Sequence, residues 1–506
     1  MLRAAAAAAR RRISLAPARS AHAQALSQAQ PKPERGGLEP AWVPLYTRLA
    51  TLPHRRPPGC VAAELDSWLR QRRPLSEQQI VAYVRRLRTF GNNAVALELM
   101  DWMEARGAKL NLGHHALRLD LVSKVHGIQA AEEYFCSLPD ELKSLKTYSS
   151  LLNCYAEHKM ADKGLELYEM MKAMNFGRYT LVFNNLLSLY LKTGQPEKIP
   201  NAFKEMQDSG IHADKFTYSL LMESYITMND LGSAEKLLEE LQKATLVHWS
   251  LYTRMAWSYI KLGQFGEAEV YLKKAEEVMD KAEMLPWHHL LSLHASYGNS
   301  SEVKRIWDSL KSAFKKCSNM SYLAMVSALR RLDDFDSLQL TFQEWQSSHE
   351  HYDMRITNIM ITAYLDKGML DEAEALRRSA MSQGHCNGKT FNIFAEFYLD
   401  KCKVEAALEM LRDAKNRVRK HHWMPSNELV SRFLKHYEEA KDVDGMESLC
   451  ECLKELECLD AEAYGALMRT YISAGTTNPS IAQRIEDDGV HIDAEMAKLL
   501  KSVSGS

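Results

Sequence analysis

Residues 180–214 read TLVFNNLLSLYLKTGQPEKIPNAFKEMQDSGIHAD, and this stretch decides the fold. Phe183, Leu186, Leu187 and Tyr190 fall at i, i+3, i+4 and i+7, the apolar stripe of one helix. Gly194 supplies the stop, because helices commonly end on a left-handed residue and glycine enters that region without a Cβ penalty. Pro196 suits the first turn of a second helix, and Ala202, Phe203 and Met206 carry a further apolar face until Gly210 closes it. One unit is a helical hairpin that can bury its apolar face only against its neighbours.

The unit returns along the chain. Copies start near Glu77, Leu112, Leu145, Thr180, Lys215, Trp249, Met284, Asn319, Met354, Gly388, Asn427 and Ala461, most often 35 residues apart. A period of this length means an all-α solenoid. The fourth residue is usually aromatic, as Tyr148, Phe183, Tyr218, Tyr252, Trp287, Tyr322, Phe391 and Tyr464, and a tyrosine commonly follows seven residues later on the same helical face. Tyrosine stripes also suit base stacking, but Leu and Met at the intermediate offsets assign these rings to packing. In the second helix the twentieth residue is small at Ala131, Ala234, Ala268, Ala373 and Ala407, where close helix approach demands it. The array is expected over residues 77–495, after a linker and capping helix over 34–76 and before a short tail over 496–506.

Composition bounds the function. Of 506 residues, 25% are charged and 46% hydrophobic, and no apolar run reaches the eighteen or so residues of a membrane span, so no membrane partner is expected. Nine scattered cysteines without a framework spacing read as reduced thiols. Residues 1–33 are rich in Ala, Arg and Ser, lack acids, and lack the continuous apolar core of a secretory signal, which predicts an organellar transit peptide. Its arginine density favours a mitochondrion over a plastid. Without the six cations of that leader, 58 of the 64 basic residues stand against 65 acidic ones. Nucleic-acid binding by such a chain must come from a local stripe rather than a globally positive surface.

These residues resemble the pentatricopeptide repeat, whose 35-residue units follow V-T-Y-N-T-L-I, then Gly, Ala, Phe, Met and Gly, and end in Pro-Asp. The tetratricopeptide repeat has a 34-residue period and a Trp, Leu-Gly and Tyr signature that the first helices lack. With its transit-like leader, the chain is similar to the purely repetitive P class of plant organellar proteins. The resemblance implies a right-handed superhelical α-solenoid of eleven to twelve helix-turn-helix repeats. It also implies binding of single-stranded organellar RNA, about one base per repeat, without catalysis, and no DNA partner.

In the family the fifth and last residues of a repeat read the base. The fifth residue follows the buried aromatic by one step and is therefore expected to turn out of the core toward a groove. On this basis Asn184 with Asp214 implies uracil, Asn358 with Asn387 and Asn392 with Ser426 imply pyrimidines, and Ser431 with Asp460 implies guanine. Ser149 with Tyr179, Ser219 with His248, Thr253 with Glu283, His288 with Ser318 and Leu323 with Asp353 depart from the pattern, as do Val81 and Ala116 at the fifth place of the first two repeats. Lys415, Arg417, Arg419 and Lys420 form a basic cluster that is a candidate for phosphate contacts.

No catalytic, metal or cofactor site is expected. The deaminase tail that some family members append needs H-x-E and C-x-x-C around zinc, and the chain ends GVHIDAEMAKLLKSVSGS instead. Cys450, Cys452 and Cys458 have no histidine placed to complete a tetrahedron. Two functions remain: an RNA-binding adaptor in transcript stabilisation, processing or translation, and a structural subunit of the mitochondrial ribosome, a particle into which some similar family members are built.

Overall fold

The computed structural model describes residues 43–50, 52, 59–244, 247–385, 387–417, 424–456, 458–490, 492 and 494–503. The leader over residues 1–33 lies outside them. Among the described residues there are 27 α-helices, two short 3-10 helices and no strand. No helix among them is long and apolar enough to cross a membrane. The chain divides into two compact units, Met1–Pro286 and Trp287–Ser506.

In the first unit Val43–Ala50 and Cys60–Arg70 precede five helix pairs: Glu77–Thr89 with Asn93–Ala105, Leu112–His126 with Ile128–Ser137, Leu145–Glu157 with Ala161–Ala173, Thr180–Lys192 with Ile199–Asp208, and Lys215–Thr227 with Leu231–Lys243. A sixth pair, Trp249–Lys261 with Phe265–Val278, follows. The second unit holds all but the first turn of Met284–Ser296, followed by Ser300–Ala313, Asn319–Arg331 and Phe335–Ser348, Met354–Asp366 and Leu370–Ser382, and Gly388–Asp400 and Val404–Arg417. Asn427–Ala440 with Val443–Glu455, Ala461–Ala474 with Ile481–Asp487, and the closing Ala494–Val503 complete it. Most first helices pack on their own second helix and, within a unit, beside the first helix of the next repeat.

Three devices repeat. The aromatic fourth residues are core: Tyr148, Phe183, Tyr252, Trp287, Tyr322, Phe391 and Tyr464 are all buried, and only Tyr218 keeps partial exposure. The small twentieth residues Ala131, Ala234, Ala268, Ala373 and Ala407 are fully buried. Gly164 holds the same place in the Leu145 repeat, and there a Cβ would stand 2.7 Å from Leu189 Cδ2. Tyrosines of one repeat also donate to a glutamate of the repeat before, as Tyr259 to Glu235 Oε1 at 2.6 Å and Tyr471 to Glu447 Oε1 at 2.7 Å. Burial pushes both phenols up, and the partnered carboxylate adds to the shift.

The turn inside each hairpin needs one left-handed residue. Gly194 fills it at φ 74° in the Thr180 repeat, whereas Lys441 takes φ 55° in the Asn427 repeat. The turn between repeats is closed by an N-cap. The last residue of a repeat does this work: Asp214 accepts from the Phe216 and Thr217 N–H groups, Asn387 from Thr390 N–H, Ser426 from Leu429 N–H and Asp460 from Ala463 N–H. A side-chain oxygen there satisfies donors that the first turn leaves open, so polarity at this place has a structural cause before any ligand is considered.

Candidate nucleic-acid interface

At three of the four expected pairs the fifth residue does not turn out of the core; only Ser431 is exposed. Asn184 is 3% exposed, Asn358 7% and Asn392 6%, because this place faces the neighbouring first helix and lies in the seam between two repeats. A buried amide must find partners. At the Thr180 junction it finds two: Asn184 Nδ2 donates to Asp214 Oδ1 at 3.1 Å, and Thr217 Oγ1 donates to Asn184 Oδ1 at 2.7 Å. Thr217 also accepts from Asp214 N–H at 3.1 Å, closing a capping box.

The Met354 junction repeats this with one change. Thr390 Oγ1 donates to Asn358 Oδ1 at 2.8 Å, and Asn358 Nδ2 lies 3.4 Å from Asn387 Oδ1. Asn387 must keep its oxygen inward to accept from Thr390 N–H at 3.2 Å, which turns its NH₂ the other way. Asp214, by contrast, spends Oδ1 on the Asn184 amide and the Phe216 and Thr217 N–H groups, with Thr217 Oγ1 3.0 Å away, and no hydrogen bond among the described residues reaches its Oδ2. The free atom is an acceptor at one junction and a donor at the other.

The remaining pairs are not assembled in this way. Asn392 Oδ1 is buried with no hydrogen-bond partner, and Ser426, exposed, caps Leu429 N–H instead of meeting it. The third residue of the following repeat is here Leu429, which has no hydroxyl to offer. Ser431 is exposed and reaches Glu462 Oε1 at 3.4 Å rather than Asp460. Again the third residue, Ala463, lacks a hydroxyl. Of the basic cluster, Lys415 and Arg417 belong to the last turn of Val404–Arg417, but their side chains, with all of Arg419 and Lys420, lie outside the described residues.

One seam outside the family's pattern is built alike. His288 Nε2 lies 2.9 Å from Ser321 Oγ, and Ser321 Oγ lies 3.1 Å from Ser318 Oγ, the cap of the Asn319–Arg331 helix. Burial lowers the His288 pKa, with a smaller contribution from His289, so the ring is neutral at neutral pH. The sequence signal for these hydroxyls was the Thr of the V-T-Y-N pattern, one residue before the aromatic. Read within one repeat it is a helix-start residue, and its partner stands a whole period away.

First-helix cations are paired across repeats. Lys192 meets Glu157 at 2.7 Å, Arg330 meets Asp366 at 3.0 Å, Arg432 meets Asp400 at 2.6 Å and Arg469 meets Glu438 at 2.8 Å, with Arg254 and Glu223 in the same relation. These pairs are half-exposed, so each contributes only about 0–1 kcal/mol and can be exchanged for a phosphate at small cost.

Known proteins carry the same repeat. A model described as the PPR repeat family matches residues 179–227, and one described as PPR repeat matches 146–176, 216–245 and 356–385. A mitochondrial pentatricopeptide repeat-containing protein of Arabidopsis thaliana is 36% identical over 91% of this chain and 92% of its own length. A second is 35% identical over 88% of this chain and 84% of its own. A large ribosomal subunit protein of the same plant is 32% identical over 88% of this chain and 92% of its own. The hairpin seams, the repeat period and this identity over nearly the whole length make the chain a member of the pentatricopeptide repeat family.

Proposed function

We propose that the chain is a mitochondrial adaptor that binds single-stranded RNA without catalysis, and that its base-reading pairs are Asn184 with Asp214 and Asn358 with Asn387. The observation that carries this is the pre-set hydrogen-bonded couple at those two seams. Each asparagine there keeps one N–H and one oxygen lone pair for a ligand. With Asp214 Oδ2 as a further acceptor, the first couple suits the donor N3–H of uracil. The outward NH₂ of Asn387 suits the acceptor N3 of cytosine. Asn392 with Ser426 and Ser431 with Asp460 are weaker readers in this proposal, and Lys415, Arg417, Arg419 and Lys420 remain candidate phosphate contacts. The mitochondrial address rests on the relatives that carry it and on the basic leader.

Filter binding of the full chain to single-stranded RNA tests the reading. Affinity should fall with salt by a slope near roughly −0.7 per phosphate contact, and Asn184→Val with Asn358→Val should weaken the best oligonucleotide by about 10- to 100-fold. A flat salt response, or unchanged affinity of the double variant, would sink it.

The likeness to a large ribosomal subunit protein favours a second reading, a structural subunit of the mitochondrial ribosome. Sedimentation separates the two. Comigration with ribosomal subunits through high salt supports the subunit, and light, RNase-sensitive particles support the adaptor.

A further inference from the structure

The ninth residue of a first helix is polar or charged in every repeat but one, as in Asn153, Ser188, Glu223, Ser327 and Arg469. In the Trp249 repeat it is Trp257, and its indole is 41% exposed. The other rings of the Trp249–Lys261 helix, Trp249, Tyr252 and Tyr259, are buried. Tyr252 and Tyr259 pack on Tyr271 of the second helix, with ring centroids 6.4 Å and 5.6 Å from it. At 3.6 residues per turn, Trp257 comes out on the far side of the helix from that stripe. It shares this side with Arg254 at i−3 and Lys261 at i+4, where the first helices carry their ion pairs between repeats.

The charge beside the ring suits a polyanion. Lys261 Nζ lies 5.3 Å from the Trp257 ring centroid, and among the described residues no carboxylate pairs with it. Arg254 meets Glu223 of the preceding repeat in a half-exposed pair that a phosphate can replace. The same repeat has no reading couple. Thr253, its fifth residue, is buried and donates its hydroxyl to the Ser250 carbonyl at 3.0 Å, while its last residue, Glu283, is exposed and is not among the partners of Thr253. A solvent-facing ring with a cation at its side is the composition of a stacking site for single strands, since every base has a π-face and a phosphate follows it. A cation–π contact at an exposed site is weak, so the ammonium can leave the ring for a phosphate when a base arrives.

We infer that Trp257 is a stacking platform that holds the nucleobase of the Trp249 repeat by its face, without reading its edge, and that Lys261 takes the adjoining phosphate. This rests on the array binding single-stranded RNA. With about one base per repeat, the stacked nucleotide stands two places from the one read by Asn184 and Asp214, because the Thr180 and Trp249 repeats are separated by one other.

Binding of the full chain to an oligonucleotide selected from a random single-stranded RNA pool tests this. Trp257→Ala weakens binding about tenfold, and Trp257→Phe, which keeps a π-face, recovers most of the loss. The base that Asn184→Val ceases to discriminate marks the reference nucleotide. An abasic site two places from it costs the parent about tenfold and costs Trp257→Ala nothing more, whereas exchanging that base among all four changes parent affinity by less than about threefold. Lys261→Met lowers the salt slope by roughly 0.7, the share of one phosphate. Trp257→Leu, apolar but without a π-face, binds as weakly as the alanine variant and carries the test if that variant does not fold by circular dichroism. Parent affinity in a folded alanine or leucine variant overturns the inference, and so does an abasic penalty that persists in full in Trp257→Ala. An unchanged slope in Lys261→Met overturns the phosphate contact. In each of these cases a parent that binds its oligonucleotide leaves the RNA reading standing, while a parent that binds no single-stranded RNA overturns both.

Discussion

The Thr180–Lys215 junction and the Asn427–Ala461 junction pack alike and differ in what they hold at the seam. In both, first helices lie side by side and an aspartate caps the second of them, Asp214 in one and Asp460 in the other. In the first, a buried amide is tied to that aspartate and to Thr217. In the second, Ser431 is too short to cross the seam, stays exposed, and finds Glu462. Capping and packing are obligations of every repeat, whereas an assembled polar couple needs three particular side chains from two repeats at once. Repeats can therefore lose the couple and keep the fold.

The largest expected effect tests the shared half of that comparison. Phe183 and Tyr464 are 2% and 0% exposed at the same place in their repeats. Truncating either to alanine removes a full ring from the core and should cost about 3–5 kcal/mol. Denaturant unfolding of Phe183→Ala and Tyr464→Ala should show comparable losses. A large loss in one and none in the other would mean that the two repeats do not share one packing.

A change of sign should separate the seams next. Asn184→Leu takes one donor from Asp214 Oδ1 and one acceptor from the Thr217 hydroxyl, both of which keep other partners, and is expected to destabilise by about 0.5–1.5 kcal/mol. Asn392→Leu removes a buried oxygen that already lacks a partner, so it should stabilise, by about 1 kcal/mol. Thermal melts of the two variants decide it, and destabilisation by both would indicate that Asn392 has found a partner in solution.

The histidine seam offers a pH handle. Burial holds the His288 pKa below its ordinary value, so the unfolded chain binds the proton more readily than the folded one. Stability from this group is therefore full above the ordinary histidine pKa of about 6.5 and falls as pH drops below it. His248, also lowered by burial, adds to the same trend. His288→Asn should flatten, without abolishing, the loss of melting temperature between about pH 7 and 5.5; an unchanged slope would mean that the ring is solvated.

The fold class was legible because packing repeats itself: the stripe Phe183, Leu186, Leu187 and Tyr190 names a helix within one unit, and recurrence of that stripe names the solenoid. The seam was less legible. Sequence alone placed the residue after the buried aromatic on the way out of the core, which treats a helix as having one buried face and one free one. A first helix in this array also has a neighbour on its side, and Asn184, Asn358 and Asn392 point into that contact. The hydroxyl partners were harder still, because Thr217 lies 33 residues from Asn184 and reads locally as a capping residue.

The smallest effect concerns the turn within the hairpin, where the two repeats use different residues for one backbone conformation. Gly194 and Lys441 both sit at positive φ, 74° and 55°, after the first helix. The Lys441 N–H still bonds back to Glu438 and Tyr437 carbonyls, so the turn is made despite its Cβ. A side chain in this region costs energy in the folded state, while glycine costs entropy in the unfolded one. The strain is the larger, so Lys441→Gly should stabilise by about 0.5–1 kcal/mol, and Gly194→Lys should destabilise by a similar amount. Equal melting temperatures for Lys441→Gly and the parent would show that the Asn427 repeat relaxes its turn around lysine, and the two hairpins would then differ in backbone as well as at the seam.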